Sequence, residues 1–193
     1  MHIRRASSYR RMPWKNGGGQ TAEIDIAPHG AGLGDFHWRI SMATMSMDGP
    51  FSIFTGIDRT LCIIDGAGIE LRIDDEPVRR LDPASEPLSF SGDAHTRAAL
   101  IDGSITDFNV MTRRRGFRHS VRRVDLTRGD TVIRDRDAHA IFCRAGTVTM
   151  ATDSGTDILE AHDTFIRGAH ADGDVTMRAA ESAIVYVVTI VER

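Results

Sequence analysis

Several short β-type runs of this chain carry charged or amide side chains at every second position. In one run Arg39 and Ser41 fall on the same side of a strand, and in another Asp107 and Asn109 do so. A guanidinium grips a carboxylate through two parallel hydrogen bonds, while carboxylate and amide oxygens accept N–H groups. We therefore predict a binding site for a small organic anion that also carries N–H groups. The candidate ligand-binding residues are Lys15, Asn16, Thr21, Glu23, Arg39, Ser41, Ser52, Arg59, Asp107 and Asn109.

Residues 52–66 have the spacing of a cupin metal motif (His-x-His, three or four residues, Glu, six residues, Gly) with the metal ligands replaced. Ser52 and Phe54 occupy the two histidine positions, Arg59 the glutamate position and Gly66 the closing glycine. A guanidinium repels cations and binds carboxylate or phosphate. We predict that this site holds an anion, with no metal ion and no other cofactor.

Histidines elsewhere offer little for a metal centre. His95 stands at the ligand position of a Pro-x-Gly-x-x-His-like segment, and His139 lies seven residues before Gly146, where a second repeat would place its glutamate ligand. Each repeat then supplies at most one histidine, whereas a catalytic metal needs about three protein ligands. A metal-dependent oxygenase or isomerase that uses His95 is kept only as a rival hypothesis.

The rhythm of short apolar runs separated by Gly, Asp-Gly and Pro is typical of an all-β sandwich or barrel with short helices or none. Two stretches repeat in the same order: 61–66 resembles 141–146, and 104–111 resembles 182–189. This order indicates two similar barrels. We expect a first barrel with the ligand pocket over residues 1–112 and a second, degenerate barrel over 117–193, with strands free to exchange between them.

Four segments together resemble the signatures of the HutD/Ves family of bacterial proteins associated with histidine utilisation. They are Pro13–Glu23, Trp38–Ser41, Gly49–Arg59 and Asp107–Met111. The resemblance implies an RmlC-like cupin fold with two β-barrel or jelly-roll units in one chain, a bicupin. It also implies a small-ligand pocket and a role in the control of histidine breakdown. The ligand would be a pathway intermediate such as urocanate or an N-formyl or formimino glutamate.

Composition narrows the range of partners. The net charge of −3 gives no overall attraction for nucleic acid or an anionic membrane, and the residues after the N-terminus lack the apolar core of a signal peptide. We expect a cytoplasmic protein whose partner is a small anionic metabolite, and a homodimer is left open. The arginines from Arg113 to Arg123 are interpreted as a solvated linker, and Cys62 and Cys143 as buried reduced thiols.

Three further alternatives remain open at the level of sequence. Arg and Asp on strands more often form an exposed face with ion pairs across strands, and a buried Arg39 or Arg59 would need Glu23, Asp107 or a ligand as its partner. The chain could also be a metal-free enzyme, an isomerase or an amidohydrolase, with Glu23 and Asp107 as an acid–base pair. An interaction module that docks through its arginines is a third hypothesis. No catalytic residue is assigned.

Overall fold

The computed structural model describes residues 2–127, 133–135, 137–168 and 173–193, and within this part the chain is all β apart from one 3-10 turn at Ala6–Ser8. The predicted all-β class is confirmed. The strands from the N-terminus to the middle of the chain are β1 (His2–Arg4), β2 (Arg10–Pro13), β3 (Gly19–Ala27), β4 (Trp38–Met45), β5 (Gly49–Pro50), β6 (Ile57–Asp65), β7 (Ile69–Ile73), β8 (Arg79–Leu81), β9 (Leu88–Ser91), β10 (Thr96–Leu100) and β11 (Ile105–Arg113). The remaining strands are β12 (Phe117–Leu126), β13 (Ile133–Asp135), β14 (Ala140–Ala145), β15 (Val148–Thr152), β16 (Gly155–Leu159), β17 (Thr164–Ile166), β18 (Val175–Ala179) and β19 (Ala183–Glu192).

The chain forms two compact units, which we call barrel one (residues 10–119 and 191–193) and barrel two (residues 2–9 and 120–190). These boundaries differ from the expected 1–112 and 117–193, since the first nine residues belong with the second half. The reason is strand pairing: β1 adds antiparallel to β17, with His2 opposite Ile166. Tyr9 fixes the end of this segment because its buried hydroxyl lies 2.7 Å from the Thr164 hydroxyl.

Barrel one has a six-stranded sheet, in the order β2-β3-β4-β11-β6-β9, and a four-stranded sheet, β5-β10-β7-β8. Side chains from the two sheets share one apolar cluster, in which Leu61 and Ile63 of the larger sheet join Ile69 and Leu71 of the smaller. Since residues paired directly across antiparallel strands point to the same face, every residue in register with Leu61 also points into barrel one. Asn109 is one such residue.

Barrel two has a five-stranded sheet, β1-β17-β14-β19-β12, and a four-stranded sheet, β13-β18-β15-β16. Its core cluster of buried residues is apolar throughout and includes Ile141, Cys143, Val185 and Val187. Both cysteines of the chain are free and buried.

The two barrels share one strand register, which supports the internal repeat inferred from the sequence. In barrel one, Asn109 pairs with Leu61 and Asp107 with Ile63, and the pairing then shifts by one residue on β6, beyond Ile63. In barrel two, Val187 pairs with Ile141, and an equivalent shift follows Val185 and Cys143. The glycines that close these strands, Gly66 and Gly146, both have positive φ, of 90° and 80°. A β-bulge at the same place in both repeats points to duplication of one unit.

Two of the arginines interpreted as a solvated linker hold barrel one together instead. The Arg113 guanidinium donates to the carbonyl oxygens of Phe36 and Gly34, both at 3.0 Å. Arg114 forms salt bridges with Asp58 at 2.7 Å and with Asp93 at 3.0 Å. The linker interpretation is wrong for these two residues, because backbone carbonyls and carboxylates at the end of the barrel engage both side chains.

A histidine with both ring nitrogens engaged lies in barrel one on the sheet face opposite to Leu61. His119 Nδ1 is 2.7 Å from the Thr112 hydroxyl, and Nε2 is 2.9 Å from the Thr60 hydroxyl. Desolvation lowers the pKa of His119 to about 4, and Asp58 opposes this shift only in part. The neutral ring is therefore the form that the fold accommodates at neutral pH.

Candidate functional site

Arg59 is the centre of a group of polar side chains inside barrel one. It lies on β6 and is only 7% exposed, and its guanidinium carbon is 5.0, 5.8 and 5.3 Å from the ring centroids of Phe51, Phe54 and Phe90. Phe90 is brought there by strand register, since it pairs directly with Arg59. The rings supply cation–π attraction to the guanidinium but no hydrogen-bond acceptor.

The charge of Arg59 is poorly compensated. Among the described residues its Nε has no hydrogen-bond partner, and no salt bridge joins it to a carboxylate. Burial lowers the pKa of Arg59 to about 10; Asp107 opposes that shift and the nearby Arg39 adds to it. A buried guanidinium is normally paired, so this environment suits a group that accepts hydrogen bonds from outside the chain.

Asp107 and Asn109 provide the complementary feature, which is buried acceptors. They are alternate residues of β11, so both point into barrel one, and they are 4% and 6% exposed. The Oδ1 atoms of both lack a hydrogen-bond partner within the described part of the chain. Burial raises the pKa of Asp107 to about 7, while Arg59 and a hydrogen bond from Asn109 work in the opposite direction.

Arg39 and Glu23 form the second charged pair of the site. The Arg39 Nε lies 2.9 Å from Glu23 Oε2, and the two side chains are 7% and 14% exposed. Strand register explains why these residues share a face. Glu23 pairs with Ser41, which pairs with Asn109. Arg39 and Arg59 lie on either side of Met111 of β11, with which both pair. Glu23 therefore neutralises Arg39 and leaves Arg59 as the cation without a direct partner among the described residues.

The structure brings six of the ten candidate residues together as one buried group, which we call the anion cluster. Its members are Glu23, Arg39, Ser41, Arg59, Asp107 and Asn109. Thr21 shares their face, but its hydroxyl accepts a hydrogen bond from Trp14 Nε1 at 2.9 Å. It is therefore already engaged within the chain.

The other three candidates are exposed and are not part of the buried anion cluster. Lys15 and Asn16 are exposed in the turn between β2 and β3, where the Asn16 side chain accepts from the Gly18 N–H at 3.1 Å. Ser52 is exposed in a segment outside any strand, so strand alternation does not apply to it. Its neighbour Phe51 packs into the core of barrel one instead.

The aromatic residues around Arg59 were not among the candidates. An isolated aromatic is more often a core residue than a site residue, and nothing in their spacing joins Phe51 and Phe54 to Phe90. The usable signal is that Phe54 stands where the cupin motif has a metal-binding histidine. That substitution places a ring beside the position where Arg59 replaces the glutamate.

A surface cavity in barrel two does not include the anion cluster. It has a volume of about 800 Å³ and is lined in part by Arg5, Asp157 and Asp163. Arg5 forms salt bridges there with Asp157 at 3.0 Å and with Asp163 at 2.7 Å. We place the candidate site in barrel one, where the buried Arg59 guanidinium has no salt bridge to a carboxylate of the described residues.

No three His, Cys, Asp or Glu side chains in the described ranges are grouped in a way that could hold a metal ion. In the same ranges no helix is long and apolar enough to cross a membrane.

Two barrels of one register, with a polar cluster inside the first, define a bicupin. The fold is shared with a cupin 2 conserved barrel domain protein from Leptotrichia buccalis at 9% identity and a TM-score of 0.59, covering 89% of this chain and 88% of that one. Residues 6–186 match the HutD family. The chain therefore belongs to the HutD family, which is linked to histidine utilisation, and the predicted family and bicupin fold are confirmed.

Solved structures resemble the whole chain. HutD from Pseudomonas fluorescens SBW25, in a formate condition, has a TM-score of 0.82 and 33% identity and covers 100% of this chain and 98% of its own. A conserved protein of unknown function from Pseudomonas aeruginosa PAO1 has a TM-score of 0.86 and 32% identity, with 98% and 97% covered.

Curated relatives match over a shorter stretch. A 21.2 kDa protein in the hutC 3′ region of Pseudomonas putida is 41% identical over 111 residues, which is 58% of this chain and 57% of that one. Protein Ves of Citrobacter koseri is 36% identical over 122 residues, 61% and 62% of the two chains. The match thus spans less than two thirds of each of these two relatives.

Proposed function

We propose that this protein binds a small carboxylate metabolite at the anion cluster and acts as a sensor in the control of histidine breakdown. The observation that carries the proposal is the Arg59 guanidinium, which is buried among three aromatic rings with no acceptor from the described residues. A buried charge without a hydrogen-bonded partner costs several kcal/mol, on the order of the cost of breaking a buried ion pair. A ligand carboxylate would remove that cost by a bidentate contact.

The acceptors of the site favour a ligand that also donates. Asn109 Oδ1 is buried and free of any donor in the described chain, so a ligand N–H would satisfy it. Urocanate carries a carboxylate and an imidazole N–H, and N-formyl or formimino glutamate carries carboxylates and a nitrogen-bound hydrogen. The relative encoded in the hutC 3′ region supports the choice of a ligand from histidine breakdown.

Access to Arg59 requires movement of the segment 51–56, because Phe51 and Phe54 both lie against the guanidinium. This segment has no strand pairing. Its first residues are held by two backbone hydrogen bonds of 2.8 Å, from Phe51 N to Thr96 O and from Phe54 N to Gly92 O, and its last residue, Gly56, is fixed by Asp93 and Arg114. Because few contacts hold these residues, they can open locally without unfolding of the barrel. We propose that the two phenylalanines open and then close over the bound carboxylate.

A thermal-shift screen tests the proposal with urocanate, histidine, N-formyl-L-glutamate, formiminoglutamate, glutamate and formate. A ligand at about 100 times its Kd adds about 2.7 kcal/mol, which raises Tm by several degrees at this size. Arg59→Met keeps the packing against the three rings and removes the charge, so the shift should vanish. Arg72→Ala, an exposed arginine on β7, is the matched control and should keep it. A shift that survives Arg59→Met, or no shift with any acid, contradicts the proposal.

A second candidate function rests on Asp107. A carboxyl with a pKa of about 7 inside a site is poised for proton transfer at neutral pH. The protein would then be a metal-free isomerase or amidohydrolase that acts on the same metabolite. Incubation of each stabilising acid with the protein, followed by NMR of the mixture, separates the two: turnover that Asp107→Asn abolishes favours the enzyme, and unchanged acid favours the sensor.

A further inference from the structure

When Asp107 is ionised, as it is above about pH 7, the four charges of the anion cluster sum to zero before any ligand arrives. Arg39 is paired with Glu23, and the remaining two are Arg59 and Asp107, whose charges interact without a salt bridge. The buried residues of β7 in the facing sheet, Ile69, Leu71 and Ile73, are apolar. A carboxylate that enters this group would leave one net negative charge in a medium that solvates it poorly, which is costly.

Only one group of the cluster is placed to remove that excess charge. Glu23 is held by the hydrogen bond from Arg39, whereas Asp107 has an oxygen with no donor among the described residues. The groups that face or couple to Asp107 are Arg59 and Cys62 on β6, Asn109 on its own strand, and Arg39 with Glu23 beyond.

The remaining titratable neighbour of Asp107 does not compete for the proton. Burial raises the pKa of the Cys62 thiol far above neutrality, and the charges of Asp107 and Glu86 act in the same direction. Cys62 therefore stays a neutral thiol between pH 6 and 9 and neither gains nor loses a proton there.

We infer that the carboxylate binds together with one proton, which Asp107 takes up from solvent. This inference rests on the proposed function, since it describes how the same site accepts its anion. The proton forms an O–H bond on the Asp107 carboxyl, and no other bond is made or broken. Asp107 then becomes a hydrogen-bond donor, Arg59 is released to pair with the ligand, and the net charge of the filled cluster returns to zero.

The electrostatics of the empty site support this coupling. Burial has already raised the pKa of Asp107 to about 7, and a bound anion raises it further because like charges repel. Affinity should then be constant below pH 7 and should fall by up to tenfold per unit above it. Between pH 7 and pH 9 the Kd would rise by up to about fifty-fold.

Isothermal calorimetry with the monocarboxylates formate and acetate tests the inference between pH 6 and pH 9. Carboxylates have a pKa of about 4, so the probes stay ionised throughout this range. At pH 8, titrations in two buffers of different ionisation enthalpy report the protons exchanged, and we expect uptake approaching one proton per ligand. Asp107→Asn should bind with a Kd that is independent of pH, whereas Asp102→Asn, in an exposed turn, should behave as wild type.

The outcomes separate this inference from the proposed function. Binding by wild type with a constant Kd and no buffer effect overturns the proton coupling and leaves the anion site intact. Release of a proton also overturns it, since Asp107 would then accept an N–H as a carboxylate. Absence of binding at every pH overturns both. The buffer comparison needs only wild-type protein, so the test stands even where Asp107→Asn fails to fold.

Discussion

Replacing Asp107 by Asn should stabilise the protein without ligand, and more so at high pH. The carboxyl has a pKa of about 7 in the fold against 3.8 in its ordinary state, because burial disfavours the charge. A group whose pKa is raised on folding destabilises the fold as pH rises from its unfolded pKa to its folded one. That cost is absent below pH 3.8, grows up to about pH 7 and is nearly constant above it.

The magnitude follows from the two pKa values of Asp107. Ionisation of Asp107 costs about 2 kcal/mol of folding free energy at pH 5 and about 4 kcal/mol at pH 8. Asn resembles the neutral carboxyl in shape, so Asp107→Asn should be more stable than wild type by about these amounts. The side chain is 4% exposed, so solvent screening reduces the effect little.

Urea unfolding followed by circular dichroism at pH 5 and pH 8 measures the difference between the two proteins. The difference is the useful quantity, because His119 titrates in the opposite sense and cancels between them. Asp102→Asn, exposed in a turn, controls for the loss of one surface charge and should change stability little. A difference that does not grow with pH, or an Asp107→Asn protein less stable than wild type at pH 8, would refute the reasoning, since Asp107 would then be a satisfied carboxylate.

Three further changes test the fold that carries the site. The pKa of His119 is lowered to about 4, so its contribution to the free energy of unfolding is complete above its ordinary pKa of 6.5 and is lost as pH falls. Between pH 8 and pH 5, the wild-type free energy of unfolding should fall by about 2 kcal/mol because of this residue. His119→Gln should lose less stability over the same pH range in the same unfolding assay. Tyr9→Phe removes the hydroxyl bonded to Thr164 and should lower unfolding free energy by about 1–2 kcal/mol; an unchanged Cm would contradict the role of Tyr9 in fixing the first segment. Gly66→Ala would place a methyl 2.5 Å from a backbone oxygen at φ +90°, whereas the methyl of Gly103→Ala, at φ +64°, meets nothing within 4 Å. Gly66→Ala should lower the free energy of unfolding by about 2 kcal/mol or more, and Gly103→Ala by about 1 kcal/mol. Equal losses for the two variants would refute the steric argument.

The sequence predicts which residues share a face, because alternation along a strand is local. Arg39 and Ser41, and likewise Asp107 and Asn109, needed only the period of two to be grouped correctly. Ser52 was chosen from the spacing of the cupin motif alone, and it is exposed and lies outside any strand, so strand alternation does not determine which way it points.

What local patterns do not encode is pairing between distant strands. The ring of Phe90 reaches Arg59 through register across β6 and β9, which no spacing in the sequence specifies. The first nine residues join barrel two for the same reason, since β1 pairs with a strand more than 150 residues further along the chain. Similarly, the match of Glu23 to Arg39 and not to Arg59 depends on which strands are neighbours.

Barrel two shows that the polar interior of barrel one is not a requirement of the fold. At the positions where barrel one has Asp107 and Asn109, the same register and the same bulge place Val185 and Val187, which are buried in an apolar cluster. Valine at such positions gains about 1.5–3 kcal/mol of hydrophobic burial, whereas the buried carboxyl costs about 4 kcal/mol at pH 8. One of two repeats with the same register therefore carries a destabilising group where the other carries valine. Because folding gains nothing from it, the cost is best explained by a ligand that restores charge balance to the cluster when it binds.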